Sequence, residues 1–153
     1  MKEVLFKLNE FCKANRIEYA VTGTTALSLL GVPSRFLPQD IDIKVFHLTG
    51  EQAKKLEELQ FLSGFKSDDY GNSQCFSFIV DGVKINAIID KTKDYDEICG
   101  QNVCINYIDE ERKKHHLISV QLVNLALADK MKLNRNKDKA YLIDLINNLT
   151  SLV

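Results

Sequence analysis

The sequence predicts an α+β fold that ends in two helices. Three observations support this prediction: apolar residues at helical spacing near both ends, alternating apolar and polar runs in the middle, and an Asp81-Gly82 pair between two of those runs. An apolar period of three to four residues is typical of an amphipathic helix, and a period of two is typical of a half-buried strand. Asp-Gly between two such runs is a strong signal for a two-residue hairpin turn.

The beginning of the chain predicts a helix, a strand and a second helix. Residues 2–15 carry apolar side chains three and four positions apart, which predicts an amphipathic helix. The apolar run 19–21 predicts a short buried strand that leads into Thr22-Gly23-Thr24. A helix follows through 26–30 and gives way to a loop over 33–38.

The middle of the chain predicts strands around one helix. Residues 39–46 alternate as a strand does, and 49–62 predict a helix with Glu51 in its first turn, where the helix dipole favours an acidic side chain. Three further strands are predicted at 65–70, 74–80 and 83–89.

The last third predicts two short strands and then two helices. The strands are expected at 103–107 and 116–118, and the helices at 120–133 and 137–149. The polar segment 91–100 between the two halves is expected at the surface.

Length and composition narrow the classes of protein. The 153 residues fit one domain, 1–153, and a net charge of −1 gives no overall basic field for holding nucleic acid. No stretch approaches the roughly 20 apolar residues of a membrane span. The N-terminus also lacks the apolar core of a signal peptide, so we expect a cytoplasmic protein with no membrane partner.

The cysteines and paired histidines do not form a metal-binding pattern. Cys12, Cys75, Cys99 and Cys104 include no CxxC pair, and we interpret them as reduced thiols. The adjacent His115-His116 are expected in a loop or at the surface rather than as metal ligands.

Two carboxylates in the predicted strand 39–46 point to chemistry. Alternation places Asp40 and Asp42 on one face and the neighbouring isoleucines on the other. Two like charges on same-face positions repel, and a divalent cation removes that conflict because Mg²⁺ takes carboxylate and phosphate oxygens. The pair therefore suggests a metal–nucleotide site, and solvated charges on an exposed strand face are the alternative.

Three groups of residues form an ordered series along the chain. They are Gly23-Thr24 ahead of a helix, Arg35 followed by Asp40-Ile41-Asp42-Ile43, and a run from Lys130 through Arg135 and Lys137-Asp138 to Asp144. The first resembles the glycine turn of the nucleotidyltransferase superfamily, and the second resembles that family's basic residue before an Asp-x-Asp strand. The third is similar to the ending of a branch that includes the toxins of abortive-infection toxin–antitoxin pairs and small antibiotic nucleotidyltransferases. This resemblance implies a nucleotidyltransferase-like mixed β-sheet flanked by helices.

The resemblance also implies an activity and its catalytic residues. The activity would be transfer of a nucleoside monophosphate from a nucleoside triphosphate to a hydroxyl acceptor on a small molecule, an RNA or a protein. Asp40 and Asp42 would be catalytic and would hold one or two Mg²⁺ ions. Gly23 and Thr24 would cradle the triphosphate, since backbone N–H groups at a helix start bind phosphate readily.

Basic residues would complete the nucleotide site that the resemblance implies. Lys130 or Lys137 would balance the triphosphate charge, and Arg35 occupies the family's basic position before the carboxylate strand. For each of the three, a solvated surface charge is the alternative.

One departure from the family pattern affects catalysis. Active members carry a third carboxylate on the strand beside the first two, and Asn86 occupies that catalytic position here. An amide can offer a neutral oxygen to a cation but cannot act as a base. Asp90 could substitute only if the strand end curls back toward the metal. A catalytically silent nucleotide-binding or interaction domain is therefore one rival function, and a toxin-like transferase with an antitoxin partner is another.

Overall fold

The computed structural model describes residues 2–46, 48–63, 66–70, 73–90 and 102–151. Within these residues, the helices are α1 (Lys2–Ala14), α2 (Gly23–Leu29), α3 (Gly50–Ser63), α4 (Val123–Leu133) and α5 (Asn136–Ser151). The strands are β1 (Tyr19–Thr22), β2 (Ile41–Val45), β3 (Lys66–Tyr70), β4 (Ser73–Val80), β5 (Val83–Asp90), β6 (Asn102–Asp109) and β7 (Lys114–Gln121). The predicted surface segment 91–100 and Cys99 lie outside the described residues.

The strands form one mixed sheet in the order β3-β4-β5-β2-β1-β7-β6. Strand β2 is parallel to β5, and β1 is parallel to β7, whereas the other neighbouring pairs are antiparallel. The predicted α+β class and the mixed sheet are confirmed. Strand β2, which contains Asp42, lies at the centre of the sheet.

The main core lies on the face of the sheet opposite to the polar side chains of β2. Ile41 and Ile43 of β2 are 0% and 2% exposed and pack in one cluster with Leu5 and Leu8 of α1 and Leu56 of α3. A period of two along β2 thus directs isoleucines inward and leaves Asp42 on the other face.

A second, smaller cluster fixes the C-terminal helices. Leu27 of α2, Ala126 of α4 and Tyr141 of α5 pack together and are all buried. This packing holds both C-terminal helices against the helix that follows the Gly23 turn, and it brings residues 130–138 to the polar face of the sheet.

The hairpin predicted at Asp81-Gly82 is confirmed in its details. Val80 pairs with Val83, so the loop contains two residues, and both have positive φ (49° and 78°). A two-residue hairpin loop with positive φ at both positions matches the twist of the flanking strands, which is why Asp-Gly is favoured there.

The predicted start of the first C-terminal helix, at 120, is wrong. Val120 belongs to β7, where it pairs in parallel with Val21 of β1 and is fully buried, and α4 begins only at Val123. Pairing of β7 with β1 on one side and β6 on the other outweighs the local apolar spacing that favoured a helix. The two short strands predicted nearby exist, and each is eight residues long because β6 and β7 pair along their whole length.

The expected surface position of His116 is also wrong. His115 is exposed, but His116 is 3% exposed and stacks on Phe6 of α1, with ring centroids 4.4 Å apart. The two residues are neighbours on β7, so their side chains point to opposite faces of the sheet.

Among the described residues, no helix is both long and apolar enough to cross a membrane.

Candidate functional site

Four polar side chains form a row across the centre of the sheet. Asp42 of β2 lies opposite Thr22 of β1 and Asn86 of β5, and Asn86 lies opposite Ser77 of β4. Residues directly opposite one another in neighbouring strands share a face, so the row lies on the face away from the main core.

The Asn86 amide is held in one orientation by its two neighbours. Its Nδ2 donates to Asp42 Oδ1 at 3.2 Å, and its Oδ1 accepts from Ser77 Oγ at 2.9 Å. The donor side of the amide therefore faces the carboxylate, and the acceptor side faces the neighbouring strand.

Gly23 places bare backbone against the Asp42 carboxylate. It directly follows β1 and has a φ of +64°, a left-handed conformation that residues with a Cβ rarely adopt. A Cβ built on Gly23 would lie 3.0 Å from Asp42 Oδ2. Two features therefore favour glycine at this position: the left-handed backbone of the turn and the short distance to the Asp42 carboxylate.

The surroundings of the Asp42 carboxyl disfavour its ionised form. Burial raises its pKa above the ordinary value and is the largest cause, and the charge of Asp40 raises it further. The hydrogen bond from Asn86 and the charges of Lys137 and Lys130 oppose that rise. An anion that is desolvated beside another anion is stabilised by a cation, so this environment suits a bound divalent ion.

Asp40 lies just outside the strand and is exposed. It precedes β2, which begins at Ile41, rather than occupying the strand position that the sequence predicted. Its backbone carbonyl accepts a hydrogen bond from Thr25 Oγ1 of α2 at 2.9 Å, which ties the start of β2 to the glycine turn.

Lys130 connects the glycine turn to the C-terminal helices. Its side chain is largely buried, and its Nζ donates to Thr24 Oγ1 at 2.7 Å. The same Nζ lies 4.5 Å from the Tyr141 ring centroid and 3.8 Å from Asp138 Oδ1. Burial lowers the pKa of Lys130, and the nearby carboxylates of Asp138 and Asp42 oppose that change.

Asp138 is the buried anion that organises this end of the site. It is 0% exposed and accepts hydrogen bonds from the backbone N, Nε and Nη2 of Arg135 at 3.1, 2.7 and 3.2 Å. Burial alone would raise its pKa, but these hydrogen bonds and the charges of Arg135 and Lys130 hold the pKa below the ordinary value. Asp138 therefore stays ionised and fixes two cations of the C-terminal run.

The structure brings most of the predicted site residues together. Those linked by direct contacts or by charge are Gly23, Thr24, Asp40, Asp42, Asn86, Lys130 and Lys137. Arg35 is placed differently: its backbone N donates to Asp144 Oδ2 at 2.9 Å, and its exposed side chain approaches the same carboxylate, with Nε 3.5 Å from Oδ1. Its role at a nucleotide stays a prediction.

Asp90 does not curl back toward the carboxylate pair. Strand β5 stays paired with β4 through Asp90, which lies opposite Ser73. Asp90 is four residues beyond Asn86, about 13 Å along the strand at roughly 3.3 Å per residue.

Some residues of the site were missed by sequence reasoning. Ser77 could have been found, because counting back from the two-residue turn places it opposite Asn86. Asp129 of α4 had no comparable signal: its Oδ2 accepts from Gln121 Nε2 at 3.0 Å and lies 3.4 Å from Lys44 Nζ. That contact joins α4 to the polar face of β2.

The donor set at the site is small. The described residues contain no group of three or more His, Cys, Asp or Glu side chains that could hold a metal ion. Asp40 and Asp42 are two hard oxygen donors, a set that fits Mg²⁺ when phosphate oxygens and water supply the remaining ligands.

Known proteins resemble this chain in structure. The chain matches no protein-family model and, at a significant level, no curated protein. A candidate nucleotidyltransferase of Thermotoga maritima is 20% identical with a TM-score of 0.57, over 95% of this chain and 92% of that one. An antigenic nucleotidyltransferase-like protein of Paracoccidioides brasiliensis is 15% identical with a TM-score of 0.57, over 95% of this chain and 73% of that one. The chain therefore has a nucleotidyltransferase-like fold, as its motifs implied.

Proposed function

We propose that this protein transfers a nucleoside monophosphate from a nucleoside triphosphate to an acceptor oxygen. The observation that carries the proposal is the close contact between the Gly23 backbone and the Asp42 carboxylate. Because Gly23 has no side chain, its backbone can contact phosphate groups directly beside Asp42, whose buried carboxylate a cation would stabilise. A plain strand-to-helix turn does not require a buried carboxylate beside it.

Asp40 and Asp42 would hold Mg²⁺ in this proposal. When bound, the ion supplies charge neutralisation and orientation at the transferred phosphoryl group. Binding of the ion would also stabilise the ionised form of Asp42, because the charge of Asp40 raises the pKa of this buried carboxyl in the ion-free protein.

Lys130 and Thr24 would bind the triphosphate. The Lys130 ammonium already donates a hydrogen bond to the Thr24 hydroxyl at 2.7 Å, and it forms an ion pair with the Asp138 carboxylate. Lys137 is exposed, and its charge acts on both Asp42 and Lys130, so it adds positive potential to the site.

The proposal is tested by following the label of an α-³²P nucleoside triphosphate in the presence of Mg²⁺ and cell extract. We expect labelled acceptor and released pyrophosphate with the wild-type protein and neither with Asp42→Asn. Asp81→Asn is the matched control, because it removes a carboxylate at the β4–β5 turn, where Asp81 pairs with Lys7 far along the hairpin from Asn86. Equal label transfer by Asp42→Asn and the wild type would contradict the proposal.

A silent nucleotide-binding domain is the second candidate, and Asn86 favours it. The amide occupies a position beside Asp42 where a carboxylate would add a third anionic ligand. Binding of Mg²⁺ and nucleoside triphosphate without pyrophosphate release would identify this candidate. Growth arrest on expression, relieved by Asp42→Asn, would instead assign the toxin-type activity.

A further inference from the structure

Among the described residues of the site, the carboxylates that are not proposed metal ligands are already paired with cations. Asp129 accepts from Gln121 and pairs with Lys44, and Asp138 is bound by Arg135 and Lys130.

Asn86 directs an N–H group at Asp42, and its oxygen accepts from Ser77. A neutral amide is too weak a base to take a proton from an acceptor. The charged groups that act on the Asp42 carboxyl are Asp40, Lys137 and Lys130. In the proposed function, the two carboxylates are metal ligands.

This arrangement restricts the chemistry of the acceptor. A hydroxyl group must lose a proton as it attacks, and a positioned general base contributes about 10²–10⁴-fold to such a step. A phosphate monoester carries deprotonated oxygens at neutral pH, since its second pKa is about 6. Such an oxygen can attack without a base.

The charge at the Asn86 position favours the same acceptor. A third carboxylate beside Asp42 would repel an incoming dianion, and like charges held close together at a protein site destabilise each other. The neutral amide removes that repulsion, while Lys130 and Lys137 keep positive charge beside the carboxylate pair. The neutral side chain of Asn86 therefore supplies no general base and does not repel an anionic acceptor.

We infer that the acceptor is a phosphate monoester rather than a hydroxyl compound, an inference that rests on the proposed function. An oxygen of the acceptor phosphate forms a bond to the α-phosphorus of the triphosphate. The bond from that phosphorus to the oxygen bridging to the β-phosphate breaks, and its electron pair leaves with pyrophosphate. The product is a phosphoanhydride, and the step requires neither a proton acceptor nor a redox partner.

The experiment compares two portions of one cell extract as acceptor pools for label from an α-³²P nucleoside triphosphate. One portion is treated with immobilised alkaline phosphatase, which is then removed, and the other is treated with the empty support. We expect label transfer by the wild-type protein to fall about 100-fold in the treated portion, the lower end of what a missing general base costs. Equal transfer in the two portions would overturn the inference and leave the proposed function standing.

Two variants separate this selectivity from a structural role of Asn86. Asn86→Asp adds a base and a negative charge, so we expect it to use hydroxyl acceptors and to label the two portions nearly equally. Ser77→Ala frees the amide oxygen without adding charge, so it should keep the wild-type selectivity, whatever its rate. A preference that does not change with Asn86→Asp would overturn the inference.

A failure of the inference differs visibly from a failure of the proposed function. If the wild-type protein binds no nucleoside triphosphate in the presence of Mg²⁺, the proposed function fails and the inference fails with it. If the protein binds the triphosphate but labels neither portion, the proposed transfer fails together with the inference, and the silent nucleotide-binding domain is the function that fits. Equal label transfer by the wild type to the two portions overturns the inference alone.

Discussion

Replacing Gly23 with alanine tests the contact on which the site depends. The variant requires a residue with a Cβ to adopt a φ of +64°, and it places that Cβ 3.0 Å from Asp42 Oδ2. Left-handed backbone costs such a residue about 1–2 kcal/mol. For a chain of this size, 1 kcal/mol corresponds to roughly 2–4 °C in Tm, so we expect a fall of about 2–8 °C.

Gly31→Ala provides a control with the same backbone strain. Gly31 has a φ of +80°, and a Cβ there would meet no atom within 4 Å. Both variants should therefore lose similar stability, but only Gly23→Ala should displace the Asp42 carboxylate and block the approach of phosphate. The difference between the two variants isolates the contact from the strain.

The assay is a thermal melt of each variant with and without Mg²⁺ and a nucleoside triphosphate. A ligand at 100 times its Kd stabilises the folded state by about 2.7 kcal/mol, which is roughly 5–11 °C for this chain. We expect the wild type and Gly31→Ala to show the full rise and Gly23→Ala to show less than half of it. A full rise in Gly23→Ala would refute the assignment of the nucleotide to the Gly23–Asp42 contact.

Three further predictions concern charge and burial. Because burial raises the pKa of Asp42, its charge costs stability as the pH rises through that pKa, so Asp42→Asn should raise the neutral-pH Tm of the ligand-free protein and abolish the rise with nucleotide. Asp138→Asn should lower the free energy of unfolding by about 2 kcal/mol in urea titrations, because hydrogen bonds to charged groups contribute on that order and Arg135 donates three. Since the pKa of Asp138 is lowered on folding, its stabilisation is complete above the unfolded value near 4 and disappears as the pH falls through the folded value; the wild type should therefore lose more stability on acidification than the variant does. Burial raises the pKa of Cys12 to about 12, so in the folded protein iodoacetamide should modify the exposed Cys104 and spare Cys12. Mass spectrometry of the labelled peptides checks this, and labelling of Cys12 in preference to Cys104 would contradict it.

Local sequence signals predicted the elements at the centre of the sheet. Alternation in β2 separated Asp42 from the two buried isoleucines, and Asp81-Gly82 fixed both the hairpin and its register. These features follow from interactions between residues close in sequence or directly paired, so the period of the side chains is enough to specify them.

Contacts between distant parts of the chain were not predictable from period or composition. Lys130 meets Thr24 across 106 residues because α4 and α5 pack on α2 through a separate apolar cluster. The contact of His116 with Phe6 depends on the packing of α1 against β7, although its two-residue spacing from the buried Ile118 and Val120 was a local signal for its face. The family resemblance supplied Lys130 as a candidate, but only the fold shows that Thr24 and Asp138 position it.

The most direct test of the account is a crystal structure with Mg²⁺ and an α,β-methylene nucleoside triphosphate. We expect a metal about 2.0–2.1 Å from carboxylate oxygens of Asp40 and Asp42, the usual Mg²⁺–oxygen distance. We also expect triphosphate oxygens against the Gly23 backbone and Lys130. A nucleotide bound away from Gly23, or a metal that does not contact Asp42, would contradict it.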